Sequence, residues 1–236
     1  MVIVLKKLKS IVTILFFSLI ICGIVNYTAK NALQASNTVF NDCYTFVIDA
    51  GHGGKDAGTI ANDGTLEKDI NLEISKSLHD FLCVMGINCK MIRNNDFEFY
   101  KQGEKRVRSD LYNRLDYVNS INNSALISIH QNHFEDEREW GMQVFFSPND
   151  EKSEKLASCI QNKNKIFLQP ENQRATKKST DSLYLLYKAS VPSVMVECGF
   201  MSNYEENEKL KNKEYQNKLA YIITLGIIEW GVQIGK

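Results

Sequence analysis

One stretch limits the folds open to this chain more than any other: Phe46 to Glu67, reading FVIDAGHGGKDAGTIANDGTLE. A short β-type run (Thr45, Phe46, Val47, Ile48) stops at Ala50-Gly51-His52-Gly53-Gly54, where only a turn can form. Glycines around one histidine let the backbone bend sharply and approach a neighbour closely. Fifteen residues after His52 comes Glu67, at the head of a strongly periodic segment. A histidine at the end of a strand and a carboxylate at the start of the next helix can converge on one point in an α/β fold, and a metal ion is the natural occupant of that point.

The segments that follow alternate. Leu66, Ile70, Ile74, Leu78, Phe81 and Leu82 recur at helical spacing, so a helix runs to Met85 and stops before Gly86. Asn88 to Arg93 reads as a strand and Asn94 to Gly103 as polar and irregular. A second helix carries Val107, Leu111, Leu115, Val118 and Ile121 on one face, with charges on the other. The Asn122-Asn123-Ser124 breaker hands over to a buried strand, Ala125 to Ile129, ending in His130-Gln131-Asn132-His133. Then come an acidic loop to Trp140, a strand from Gly141 to Phe146 and a helix from Glu151 to Phe167. Gln169 to Ser182 is a long polar connection expected to lie over the surface. Leu183 to Tyr187 and Ser193 to Val196 read as strands, and Tyr215 to Trp230 as a closing helix. This order predicts a single α/β domain: a twisted, mostly parallel sheet with helices on both faces and the active site at the C-terminal ends of the strands.

The N-terminus reads as a targeting segment. Lys6, Lys7 and Lys9 precede an apolar run from Ile11 to Val25, which fits the charged and apolar regions of a secretory signal. Fifteen residues of helix reach about 22 Å at 1.5 Å per residue, short of a bilayer core of ~30 Å. We therefore expect a signal peptide or membrane anchor at 1–35, a linker at 36–43 and a catalytic domain at 44–236. The body then lies outside the cytoplasm, secreted or held at the membrane through the N-terminal segment alone. Without Lys6, Lys7, Lys9 and Lys30 the chain keeps 24 basic against 28 acidic residues, and no basic stripe offers a footprint for nucleic acid. Beyond residue 35 the cysteines are Cys43, Cys83, Cys89, Cys159 and Cys198, an odd number without a C-x-x-C pair. They read mainly as small buried apolar residues, with a Cys83 to Cys89 bridge as the alternative.

Two imidazoles and one carboxylate are the usual protein ligands of a catalytic zinc, which keeps a position open for water. His52, Glu67 and His130 supply that set, and Glu197, in the run VMVECGF, is the candidate proton carrier. His133 is a competing ligand if a turn brings it in, and mid-helix His79 reads as structural. Asp49 and Asp56 flank His52 and are candidate acceptors for its second N–H. Asn132 is a candidate substrate-binding amide. Cys198 offers a thiol-hydrolase alternative, but neighbouring strand residues point to opposite faces, so it turns from the metal if Glu197 faces it.

VIDAGHGGKDAG, the acidic helix start at Glu67, SIHQNHF and VPSVMVECGFMSN together resemble the zinc-dependent N-acetylmuramoyl-L-alanine amidases of the type-3 family, from Tyr44 to the C-terminus. The resemblance implies one zinc on His52, Glu67 and His130, with Glu197 catalytic. It also implies cleavage of the amide between the muramic lactyl group and the first alanine of peptidoglycan stems. Within the family the short layout is similar to spore-cortex enzymes of the CwlD kind. That similarity implies a role on the route to muramic-δ-lactam in the space around the forespore, and a lipoprotein partner of the GerS type. Regulated relatives carry an inserted helix over the metal; the 134–140 loop and the 169–182 connection are too short and polar for one, so an open cleft is expected. The alternatives are a zinc peptidase acting within the stem peptide and a non-catalytic wall-binding protein of the same fold.

Overall fold

The computed structural model describes residues 12–26, 44–99 and 109–234. The chain divides between Thr38 and Val39. In the first unit the described residues form one helix, α1 (12–26), with its apolar side chains exposed. No helix among the described residues is long and apolar enough to cross a membrane. The remainder of the 1–35 targeting segment, the 36–43 linker and Cys43 lie outside the described residues.

The second unit is built on β1 (Thr45–Ala50), β2 (Cys89–Met91), β3 (Ser124–Asn132), β4 (Gln143–Phe146), β5 (Lys177–Lys178) and β6 (Ser193–Phe200). They form one sheet in the order β2-β1-β3-β6-β4-β5. β2, β1, β3 and β6 are mutually parallel, and β4 runs antiparallel to β6. The mostly parallel α/β architecture is therefore as expected, with an antiparallel edge.

The helices of this unit are α2 (Glu67–Val84), α3 (Ser109–Asn119), α4 (Glu151–Phe167), α5 (Tyr184–Lys188), α6 (Tyr204–Leu210) and α7 (Lys213–Ile234). Both sheet faces are covered, which is why the central strands are apolar at nearly every position. Phe46, Ile48, Ile127, Ile129, Val196 and Cys198 point into the main core with residues of α2, α4 and α7. Val47 and Leu126 point into a smaller core with Val118 of α3 and Leu185 of α5. Burying one such aliphatic side chain contributes about 1.5–3 kcal/mol.

Three segments differ from the sequence reading. Leu183 to Tyr187, expected as a strand, is the short helix α5, which buries Leu185 and Leu186. A brief apolar run has no period that separates strand from helix. Helix α6 was not foreseen; the Asn203 side chain caps it by accepting from the Glu206 N–H. The Gln169 to Ser182 connection is not wholly superficial either. Gln169 and Asn172 are buried, where Gln169 Oε1 accepts from the Met142 N–H and from Asn164 and Asn172. Polar side chains there satisfy buried backbone instead of water.

Candidate metal centre

His52 lies two residues beyond the end of β1, in the left-handed region at φ 62°. Such a conformation is unfavourable for a non-glycine residue and persists only where the surroundings impose it. Two buried arginines impose it here. Arg114 of α3 donates from Nη2 to the His52 carbonyl at 2.8 Å and from Nη1 to the Ala50 carbonyl at 3.0 Å. Arg93 donates from Nε to Ala50 O at 2.8 Å and from Nη2 to Gly51 O at 2.9 Å. The carbonyls left unpaired as β1 ends are thus held by guanidinium groups.

Glu67 opens α2 and is buried there. Its helix has no side-chain cap; the Glu67 and Lys68 N–H groups instead donate to the carbonyls of Thr59 and Ala57. The loop that follows His52 therefore folds back as the cap of the helix bearing Glu67. Glu67 Oε2 accepts from the Thr59 N–H at 2.9 Å, and Oε1 from the Gln131 N–H at 3.0 Å and Asn71 Nδ2 at 3.2 Å.

His130 sits near the end of β3, within the strand and not past it, and Glu197 is its register partner on β6. The chain slips register by a bulge between His130 and Asn132, a feature that re-aims side chains at strand ends. His130 Nδ1 stands 3.1 Å from Glu67 Oε1, and His52 Nε2 stands 3.4 Å from the same oxygen. Donors each about 2.0–2.2 Å from a tetrahedral zinc lie roughly 3.3–3.5 Å apart, so the spacing fits one ion. The two imidazoles meet edge to face, centroids 4.9 Å apart.

Two glycines make room for this arrangement. A Cβ on Gly51 would fall 2.2 Å from His130 Nε2, and one on Gly58 would fall 2.6 Å from His52 Cδ2 and 2.7 Å from Glu67 Oε2. On the far side of His52, Nδ1 lies 2.7 Å from Asp56 Oδ2. This pairing assigns the proton to Nδ1 and leaves Nε2 for a cation. Asp49, the other flanking acid, does not serve the imidazole. It is buried against Arg114 Nη1 at 2.6 Å and the Ser128 hydroxyl at 2.7 Å.

The electrostatics follow from these contacts. Burial alone would push the His52 imidazolium down, but Glu67 and Asp56 outweigh it and hold the group up at about 9. Burial would raise Glu67, yet His130 and His52 keep it well below the usual carboxylate range. Glu197 goes the other way: burial raises it to about 7, with Glu67 adding to the effect and His130 and His52 opposing it. Its Oε2 is shielded from solvent and has no hydrogen-bond partner among the described residues. A buried carboxylate oxygen left unpaired costs about 1–3 kcal/mol or more. That cost is explained if a water or substrate group is the missing partner.

Asn132 is half-buried at the end of β3, where its Oδ1 accepts from the His133 N–H. His133 itself is exposed and is not one of the clustered donors. Cys198 faces the main core, on the opposite side of β6 from Glu197, and burial raises its thiol out of the reactive range. A cavity of about 290 Å³ opens against His52 and His130, walled by Arg114, Ser128, Tyr184 and Met195.

The sequence reading did not single out Arg93, Arg114, Asn71 or Gln131. For Arg114 a signal was present, since it shares the helix face of Leu111, Leu115 and Val118.

The N-acetylmuramoyl-L-alanine amidase family profile, Amidase_3, matches residues 46–229. The germination-specific N-acetylmuramoyl-L-alanine amidase of Bacillus subtilis is 31% identical over 192 residues, covering 80% of each chain. Among solved structures, the CwlD amidase of Clostridioides difficile in complex with the GerS lipoprotein superposes with a TM-score of 0.74 at 35% identity. That match covers 79% of this chain and 97% of the other. The amidase AmiC2 of Nostoc punctiforme gives a TM-score of 0.68 at 31% identity, covering 79% and 96%.

Proposed function

Because the chain belongs to the N-acetylmuramoyl-L-alanine amidase family and is a peptidoglycan amidase, we propose that it cuts the muramoyl–alanine amide with one zinc ion on His52, Glu67 and His130 and with Glu197 as proton carrier. The observation that carries this reading is the convergence of three donors from three separate segments on one point, beside a carboxylate whose Oε2 lacks a partner. When bound, zinc supplies Lewis acidity to water and to the scissile carbonyl.

The residues do the rest. Asp56 fixes the His52 tautomer, and the Thr59 and Gln131 N–H groups fix the Glu67 carboxylate. Glu197 takes the proton of the attacking water and returns it to the departing alanine nitrogen, a task suited to a carboxyl poised at about 7. Asn132 offers its amide to the substrate. Residues 44–236 form the catalytic domain, residues 36–43 its linker, and the 1–35 segment directs its export.

The narrower role is in spore cortex, on the way to muramic-δ-lactam. Its support is the likeness to a germination-specific amidase and to a CwlD amidase bound to GerS. A lipoprotein of that kind is the proposed partner.

The test is a digest of purified peptidoglycan scored by new alanine amino groups and by product mass. A chelator should abolish turnover, zinc should restore it, and Glu197→Gln should keep zinc and lose turnover. Full activity after exhaustive chelation, or in Glu197→Gln, would sink the assignment.

A further inference from the structure

A second set of metal-ligating side chains lies at the other end of α2. His79 and Cys83 are one helical turn apart on α2, and Cys89 is the first residue of β2. His79 Nε2 is 3.6 Å from Cys83 Sγ, and Cys83 Sγ is 3.6 Å from Cys89 Sγ. One donor atom from each of the three lies within 4.8 Å of both others. Zinc–sulfur and zinc–nitrogen bonds of about 2.3 and 2.05 Å in a tetrahedron put sulfur about 3.8 Å from sulfur and about 3.6 Å from nitrogen. The two separations from Cys83 Sγ are close to those values.

Behind the imidazole, His79 Nδ1 lies 3.4 Å from Asp80 Oδ1. Cys83 Sγ is 3.8 Å from Nδ1 as well, and a carboxylate on Nδ1 leaves Nε2 as the nitrogen free for a cation, as carboxylates do behind metal-bound histidines. Both cysteines are free thiols, and Cys83 is exposed, so a cation has a way in. The disulfide alternative needs a bond of about 2.05 Å and has no use for a histidine at coordination distance.

We propose that His79, Cys83 and Cys89 form a second zinc-type site, selective for thiolate-preferring divalent cations, with its fourth position open to water. The site clamps the C-terminal end of α2 to β2 across the turn at Gly86, which has φ 70°. Its role is structural, remote from the donors that begin α2, and it holds or fails independently of the proposed active-site zinc.

Cobalt(II) distinguishes the two centres, because only thiolate ligands give the intense near-ultraviolet sulfur-to-cobalt band and the active-site donors are nitrogen and oxygen. The full chain, reduced and stripped of metal, is titrated with cobalt(II) alone. The band should saturate by two equivalents and vanish in Cys83→Ser, while bound zinc falls from two ions per chain to one with peptidoglycan turnover unchanged. His79→Ala, which keeps both thiols, should weaken cobalt binding by at least about tenfold. Absence of the band in the unmodified chain would overturn the site. So would its persistence in Cys83→Ser, or a Cys83–Cys89 disulfide forming in air with two equivalents of zinc present.

Discussion

Arg114 donates a hydrogen bond of 2.8 Å to the carbonyl of His52, so a helix on one side of the sheet holds the strained residue that follows β1. The same guanidinium pairs with Asp49 at 2.6 Å and Asp110 at 2.8 Å, and it is almost fully buried. Replacing it with Met removes the pairs with Asp49 and Asp110 and the hydrogen bonds to the Ala50 and His52 carbonyls, and strands the Asp49 carboxylate. Breaking a buried pair in this way costs about 3–5 kcal/mol. We expect Arg114→Met to unfold at markedly lower denaturant and to bind zinc more weakly. Arg114→Lys should recover part of the stability but little of the zinc affinity, because an ammonium cannot reproduce the fork that spans Asp49 and the two carbonyls. Denaturant melts and zinc titrations of the two variants check this.

Acid stability should report the same pair. Burial works against the Asp49 carboxylate, but Arg114, His130 and the Ser128 hydroxyl outweigh it and lower its pKa. A carboxylate depressed in the folded state contributes its full stability above the unfolded value of about 3.9. That contribution is lost as pH falls through the lower folded value. Asp49→Asn should therefore flatten the stability profile of the metal-free protein below about pH 4 relative to the unmodified chain. Parallel acid dependence in the two proteins would contradict the assignment.

Gly51→Ala makes a sharp test because Gly51 is not in the positive-φ region. The new methyl acts only by occupying space that lies 2.2 Å from His130 Nε2. The expected result is a folded protein by circular dichroism whose zinc affinity falls by at least about tenfold, with turnover lost in proportion. Unchanged zinc affinity would mean that His130 is not a ligand.

Zinc binding should release a proton. His52 is held up at about 9 in the metal-free protein and must become neutral to bind a cation. Glu67 is already ionised, so it contributes no proton. Apparent affinity should thus rise with pH until about 9, and calorimetry at pH 7 in buffers of different ionisation enthalpy should show release of about one proton from this site. Pairing Cys83→Ser with this experiment removes any contribution from the thiols at the far end of α2.

Much of this architecture can be read from the sequence, for identifiable reasons. His52, His130 and Glu197 are legible because each stands at or near the end of a strongly apolar run, and parallel topology gathers such ends at one edge. Glu67 is legible because a carboxylate opens a clearly periodic helix. Arg114 was missed because its helix was read as one apolar and one charged face, whereas its guanidinium lies on the apolar face and is satisfied by carbonyls two strands away in sequence. Leu183 to Tyr187 was misread because five residues carry no decisive period. Gln169 and Asn172 look like loop polarity in sequence, and only the fold reveals the buried carbonyl and N–H groups they satisfy.

The position of zinc in the folded chain is the most direct test. An anomalous difference map at the zinc edge, from crystals of the full chain, should place an ion within about 2.0–2.2 Å of His52 Nε2, a Glu67 carboxylate oxygen and His130 Nδ1. Strong density elsewhere with none among those three side chains, in protein that still cleaves peptidoglycan, would contradict it.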